Sequence, residues 1–198
     1  MRRITSTFAI AIGLYAPIVS GQSVSEARKL YDAGQYQQVI AASGTEDPRL
    51  TFLRAQSYQK LSQINEARQV YAQLAGRPES DPWHAIGRSG IALLSQDAGA
   101  ALEASNQAVA RDGMLAEAYY QQGLAYSLAQ DFANAATALQ KASDLDPTWA
   151  YAHYYAGLAY SKVKRIDLTA QHFQTFLRLA PQAPERPEVQ SIMRTLSR

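Results

Sequence analysis

The chain has no cysteine. Disulfides are therefore impossible, and so is lipid attachment to a cysteine behind an N-terminal leader. Charge of one sign is also lacking: 19 Lys and Arg face 17 Asp and Glu. That balance argues against nucleic acid, which demands a net basic stripe. No run of alternating apolar and polar residues signals a strand, and no hairpin dipeptide joins two such runs. Gly-x-Gly-x-x-Gly, Walker and Gly-x-Ser-x-Gly motifs are absent. Only eight prolines occur, and low-complexity linkers are missing. Alanine- and glutamine-rich segments with few β-branched runs remain, and these favour helix.

One pentapeptide organises what is present. Gly-Leu-Ala-Tyr-Ser stands at Gly123–Ser127 and again at Gly157–Ser161. A spacing of about 34 residues marks a solenoid built from one helix-pair unit. Residues 116–149 lie over 150–183 without a gap, from Ala116/Ala150 through Tyr120/Tyr154 to Pro147/Pro181. In the first of these copies Tyr119, Gly123 and Tyr126 share a face of one helix, at steps of four and three. Gln130-Asp131 marks a turn. Ala135, Leu139 and Ala142 form the inner face of a second helix, which Asp146-Pro147 ends. The glycine is expected to face an alanine of the second helix and let the two axes approach.

These residues resemble the tetratricopeptide repeat. Tyr119, Gly123, Tyr126, Ala135, Leu139, Ala142 and Pro147 fit its pattern, and Gln122 departs from it. The next copy fits at Gly157, Tyr160, Phe173 and Pro181, and departs at His153, Ala156, Thr169 and Phe176. The resemblance implies an all-α superhelical solenoid of helix pairs, with a concave face lined by first-helix residues.

Weaker copies precede these two. Residues 48–81 place Ala55, Tyr58, Ala67, Tyr71 and Leu74 in register. Residues 82–115 fit least well, because Ser89 takes the glycine slot. Shifting the first helix by one brings in Ile86, Gly90 and Leu93, fits better, and predicts a turn one residue short. Ala27–Tyr31, Gly34-Gln35-Tyr36 and Val39-Ile40 form a shortened first repeat. After Pro181, residues 187–196 predict one more helix with Val189, Ile192, Met193 and Leu196 inward and a polar outer face, as a terminal cap requires. The expected organisation is a signal peptide over 1–21, an array over 22–183 (22–47, 48–81, 82–115, 116–149, 150–183) and a capping helix within 184–198.

The signal peptide rests on Arg2-Arg3, the apolar run Phe8–Ala16, and small residues Val19 and Gly21 before a cut ahead of Gln22. The run is short for a membrane span and ends at Pro17. Cleavage would lower Lys and Arg from 19 to 17, level with the acids. The expected location is periplasmic or secreted; the alternative is an inner-membrane anchor that is not cleaved. Residues 150–198 keep an excess of basic over acidic side chains, read as solvated surface or as a site for an acidic partner or lipid headgroup.

Candidate chemistry is sparse. His153 and His172 sit on the two helices of one repeat and could approach each other, but two histidines do not make a zinc site. Gly87-Arg88-Ser89-Gly90 lacks a preceding strand and reads as close helix packing. No catalytic constellation, cofactor or metal site is expected. The resemblance places the functional surface in the concave groove: Arg49, Phe52, Gln56 and Gln59; Glu117, Tyr120, Leu124 and Ser127; Tyr151, Tyr154, Leu158 and Ser161; and, in the shifted register, His84, Gly87, Ile91 and Leu94. The Lys and Asn set with which some members of the family clamp a peptide's terminal carboxylate is lacking. Phe52, Gln56, Tyr120, Leu124, Tyr151, Tyr154 and Leu158 instead suit an apolar or helical protein segment. Tyr120 and Tyr154 bind a partner or pack between repeats; both readings stand at this point. The chain is thus expected to be a non-enzymatic protein-binding scaffold of bacterial envelope assembly or secretion. The alternatives are a membrane-tethered assembly subunit and an enzyme using Glu117 and His84.

Overall fold

A computed structural model describes residues 23–42 and 47–196. Among the described residues all regular structure is helical: α1 Val24–Asp32, α2 Tyr36–Ala42, α3 Pro48–Lys60, α4 Ile64–Ala75, α5 Pro82–Leu94, α6 Ala98–Arg111, α7 Ala116–Leu128, α8 Phe132–Leu145, α9 Ala150–Lys162, α10 Ile166–Leu179 and α11 Arg186–Leu196. Each helix packs on the next, as in a solenoid of antiparallel pairs. The signal-peptide reading falls on residues 1–21, outside the described residues.

Turn chemistry sets the period. Ser62, Gln96, Gln130 and Lys164 all take a left-handed conformation, with φ between 58° and 60°. They recur at the interval that separates Gly123 from Gly157. At each turn the next residue's N–H returns five residues, as from Asp131 to the Tyr126 carbonyl at 2.9 Å. The left-handed residue itself returns three, from Gln130 to Ser127 at 3.1 Å. These paired bonds satisfy carbonyls that the helix end leaves open. Gly34, at φ 74°, makes the same turn between α1 and α2. Starts are marked as clearly: Asp47 and Asp81 cap α3 and α5, each just before a proline that begins the helix.

The helices of residues 82–115 keep the strict period, so the shifted register and the short turn are incorrect. α5 and α6 begin one full period before α7 and α8. Ser89 does occupy the glycine slot. It is small enough to be fully buried there, and its hydroxyl donates to the Ala101 carbonyl of α6 at 3.3 Å. Gly87 and Gly90 serve the opposite contact, against the preceding repeat. A Cβ at Gly87 would lie 2.4 Å from the Ala75 backbone nitrogen, and one at Gly90 would lie 2.4 Å from the Tyr71 ring. The expected glycine–alanine pairing also needs correcting. Gly123 faces Leu139, and Gly157 faces Phe173, so each glycine makes room for a large side chain.

The array then closes on itself. The turn after α1 meets the segment before α11, where a Cβ at Gly34 would lie 2.8 Å from Pro184 Cγ. Lys60, at the end of α3, pairs with Glu185 beside the last helix. α11 lies on α10 and buries Val189 completely, while Ile192 and Met193 pack at its margin.

Candidate functional site: the concave face

The odd-numbered helices from α3 to α9 supply the concave face, α1 sets its side chains against it, and the face is filled. Phe52 of α3, Trp83 of α5, Tyr120 of α7 and Trp149, just before α9, converge edge to face. Tyr120 and Trp149 stack with centroids 4.4 Å apart. Tyr31 of α1 sets its edge against Tyr151 at 4.9 Å and against Tyr36 at 5.2 Å. Tyr151 also meets Tyr154 and Phe176. Each pair adds about 0.5–1.5 kcal/mol beyond area burial, so the first and last repeats are joined through aromatic contact.

The structure brings Phe52, Tyr120, Tyr151 and Tyr154 to this centre, together with Gln56. All five are buried; Tyr120 is 1% exposed and Tyr151 0%. Leu124 and Leu158 are half-buried at its margin. An open groove along these residues is therefore not the conformation seen. What stays accessible is divided by α1. On one side a cleft of about 210 Å³ is lined by Tyr31, Gln56, Gln59, Lys60, Tyr120, Leu124 and Tyr155. On the other side a larger pocket of about 560 Å³ is lined by charged side chains, Arg28, Arg49, Glu117 and Asp146 among them, and equally by apolar ones such as Met114 and Leu145.

Charges cluster at that second pocket. Arg28 reaches from α1 to Asp146 and, at 3.4 Å, to Glu117, and its guanidinium lies 4.9 Å from the Trp149 ring. Arg49 of α3 adds a second contact to Glu117 at 3.5 Å. Burial pushes the Glu117 carboxyl above the usual carboxylate range, and the two arginines oppose this. Asp32 is pushed up to about 7 by burial; Arg28 opposes the shift, and the charges of Asp146 and Glu185 add to it. Burial also raises Glu185, but hydrogen bonds from Lys60 and Tyr151 outweigh it and hold the carboxyl below its usual value.

His153 and His172 do meet, Nδ1 to Nδ1 at 3.0 Å. His172 Nε2 lies 2.7 Å from Gln140 Oε1 and His153 Nε2 lies 3.2 Å from the Pro147 carbonyl, so the outer nitrogen of each ring faces an acceptor. Burial, then the neighbouring His153, pushes His172 down to about 4. Burial lowers His153 as well, and the two rings pack 5.2 Å apart between their centroids. Among the described residues no group of three or more His, Asp or Glu could hold a metal. His84 Nδ1 lies 3.1 Å from the Arg77 carbonyl.

Sequence reasoning missed Arg28, Tyr31, Trp83, Trp149 and Glu185. The strict period would have supplied Trp83, which stands one repeat before Glu117 in the concave column. The others act across the closed array, and a periodic pattern carries no signal for contacts between its two ends.

A helix pair repeated at this period with one turn geometry defines a tetratricopeptide-repeat solenoid. The tetratricopeptide-repeat family model matches residues 116–149. Those residues are a tetratricopeptide repeat, and the chain has the fold of a tetratricopeptide-repeat solenoid. Its fold is shared by a thermophilic TPR protein of Thermus thermophilus, at 19% identity and TM-score 0.61, over 87% of this chain and 96% of that one. The TPR2AB domain of yeast Sti1 in its pHSP90 complex matches at 14% identity and TM-score 0.55, over 89% and 86%. The first TPR of Spaghetti (RPAP3), bound to an HSP90 peptide, matches at 15% identity and TM-score 0.54, over 61% and 96%. At these identities the likeness is one of fold. No curated protein matches the chain.

Proposed function

We propose that this protein is a non-enzymatic interaction scaffold that takes a protein segment on its concave face. The single observation behind this reading is the composition of that face. It gathers aromatic rings with a buried carboxylate and two arginines, a surface chemistry suited to a peptide. The Sti1 and RPAP3 neighbours, each solved with an HSP90 ligand, support the scaffold reading. An active site is disfavoured, because Glu117 is held by two arginines and His84 faces a backbone carbonyl. We further propose export by cleavage ahead of Gln22 and a role in envelope assembly or secretion, on the strength of the N-terminal charge and apolar run. A photo-crosslinker at Leu124 or Leu158 tests the binding face in envelope extract. Capture from these positions and not from exposed Thr137 is expected; equal capture from both would refute it.

A further inference from the structure

Resting on that reading, we propose that α1 is a built-in, displaceable occupant of the concave face, and that the partner is a helical segment presenting an arginine and, three residues later, an aromatic ring.

The chemistry of the occupant describes the ligand. Arg28 and Tyr31 are three residues apart on α1 and so share one helix face. Arg28 lies over Trp149 and is held by Glu117 and Asp146, acids from two different repeats. Tyr31, 3% exposed, fills the space between Tyr36 and Tyr151. Two unlike anchors at fixed spacing, a planar cation and a ring, are thus recognised together. With α1 gone, Glu117 would lose Arg28 and keep only the half-exposed Arg49 as counter-charge. The face therefore demands a cation, from α1 or from a partner.

The same element is short and carries an acid of the wrong sign for its seat. α1 is nine residues long, below the length at which a helix is stable alone. Its Asp32 carboxylate is drawn inward with Oδ1 unpaired, near the acidic Asp146 and Glu185. Displacing α1 returns that carboxylate to water. The Ser23–Glu26 capping box is local to α1 and is kept when the helix leaves. The pocket of about 560 Å³ along its side, charged and apolar in equal part, gives a competing segment an entry.

Hydrogen exchange on the intact chain tests the first half. The α1 amides should exchange at least tenfold faster than those of α7 and α9, through an opening smaller than global unfolding. Equal protection of all three would overturn the proposal. For the second half, the probe is a fluorescein-labelled peptide of residues 23–34. It should bind full-length Arg28→Glu/Tyr31→Ala at least tenfold tighter than it binds the wild type. Lys or Ala in place of its arginine, or Ala in place of its tyrosine, should weaken that binding. Equal binding to wild type and a folded double variant would overturn the proposal. Should the double variant not fold by circular dichroism, the exchange experiment still decides. Peptide binding with no cellular partner recovered would support the α1 seat and count against the scaffold reading. A partner crosslinked at Leu124 or Leu158 without α1 release would do the reverse.

Discussion

Gly123→Ala adds one methyl group at the tightest helix crossing of the α7–α8 pair. The new Cβ would stand 2.4 Å from Leu139 Cγ and 2.9 Å from its Cδ2. Cγ is the branch point of a fully buried side chain and cannot swing away. Overpacking of this kind costs about 1–3 kcal/mol. Alanine is also the better helix former, by about 0.8–1.0 kcal/mol. The two effects oppose each other, so the single variant does not separate them. A double-mutant cycle does. Leu139→Ala alone should cost about 2–5 kcal/mol, since the site is buried. With Leu139 truncated the clash disappears, and Gly123→Ala should then stabilise by its propensity gain. The coupling between the two changes should be about 1–3 kcal/mol, read from urea melts of all four proteins. Gly99→Ala is the control: its Cβ meets only Asp97 Oδ1 at 3.5 Å, and the variant should gain up to about 1 kcal/mol. Additivity within about 0.5 kcal/mol would refute the argument that Gly123 exists to admit Leu139.

Four further outcomes follow from particular residues. Asp32 has a raised carboxyl, at about 7, so its stabilisation is full below about pH 4 and is lost as pH rises through 7. Asp32→Asn should therefore gain on the wild type between pH 3 and pH 8 by up to about 4 kcal/mol, and a pH-independent difference in urea midpoint would contradict this. Arg28→Ala should cost more stability than Arg49→Ala in thermal melts, because the Arg28 side chain is 15% exposed and Arg49 52%; the opposite order would contradict the closure. Removing residues 186–198 should uncover the face under Val189 and Ile192 and cause self-association by light scattering, and a monomeric, equally stable truncation would exclude a capping role. Intact mass of protein from its host should start at or near Gln22, and a mass that includes residues 1–21 would exclude cleavage.

The helix pairs were legible because their determinants are local and periodic. Gln130-Asp131 marks its turn in the sequence because two polar residues interrupt the apolar spacing. Ala135, Leu139 and Ala142 show a helix face because each recurs at three or four residues, and all three are fully buried. Ser89 was misleading for a physical reason. The slot requires a small residue, and a serine that donates to Ala101 meets the requirement as well as glycine does. Seeking glycine led one position away, to Gly90, which serves Tyr71 of the preceding repeat instead. The aromatic column was legible too, as Phe52, Tyr120, Tyr151 and Tyr154. Its use was not. Whether such a column lines a groove or fills a core depends on how tightly the superhelix turns, and that angle accumulates from small rotations between repeats.

Closure therefore changes what an aromatic concave face means. In an open array the rings of Tyr120 and Tyr151 would be exposed, and their area would be available only to a partner. Here Tyr31 of the first repeat covers Tyr151 and Trp149 covers Tyr120, and the same contacts stabilise the fold. Binding to that face must then be an exchange: a partner gains the area that α1 gives up, and affinity reflects only the difference. Such a design favours specificity over strength. Apolar contact alone cannot distinguish a ligand from α1, because both bury rings on the same rings. What distinguishes them is how well each satisfies Glu117 and Asp146 without bringing an acid of its own. α1 satisfies the first condition through Arg28 and fails the second through Asp32. A segment with the same cation and ring, but a neutral residue in the place of Asp32, would meet both conditions on the same surface.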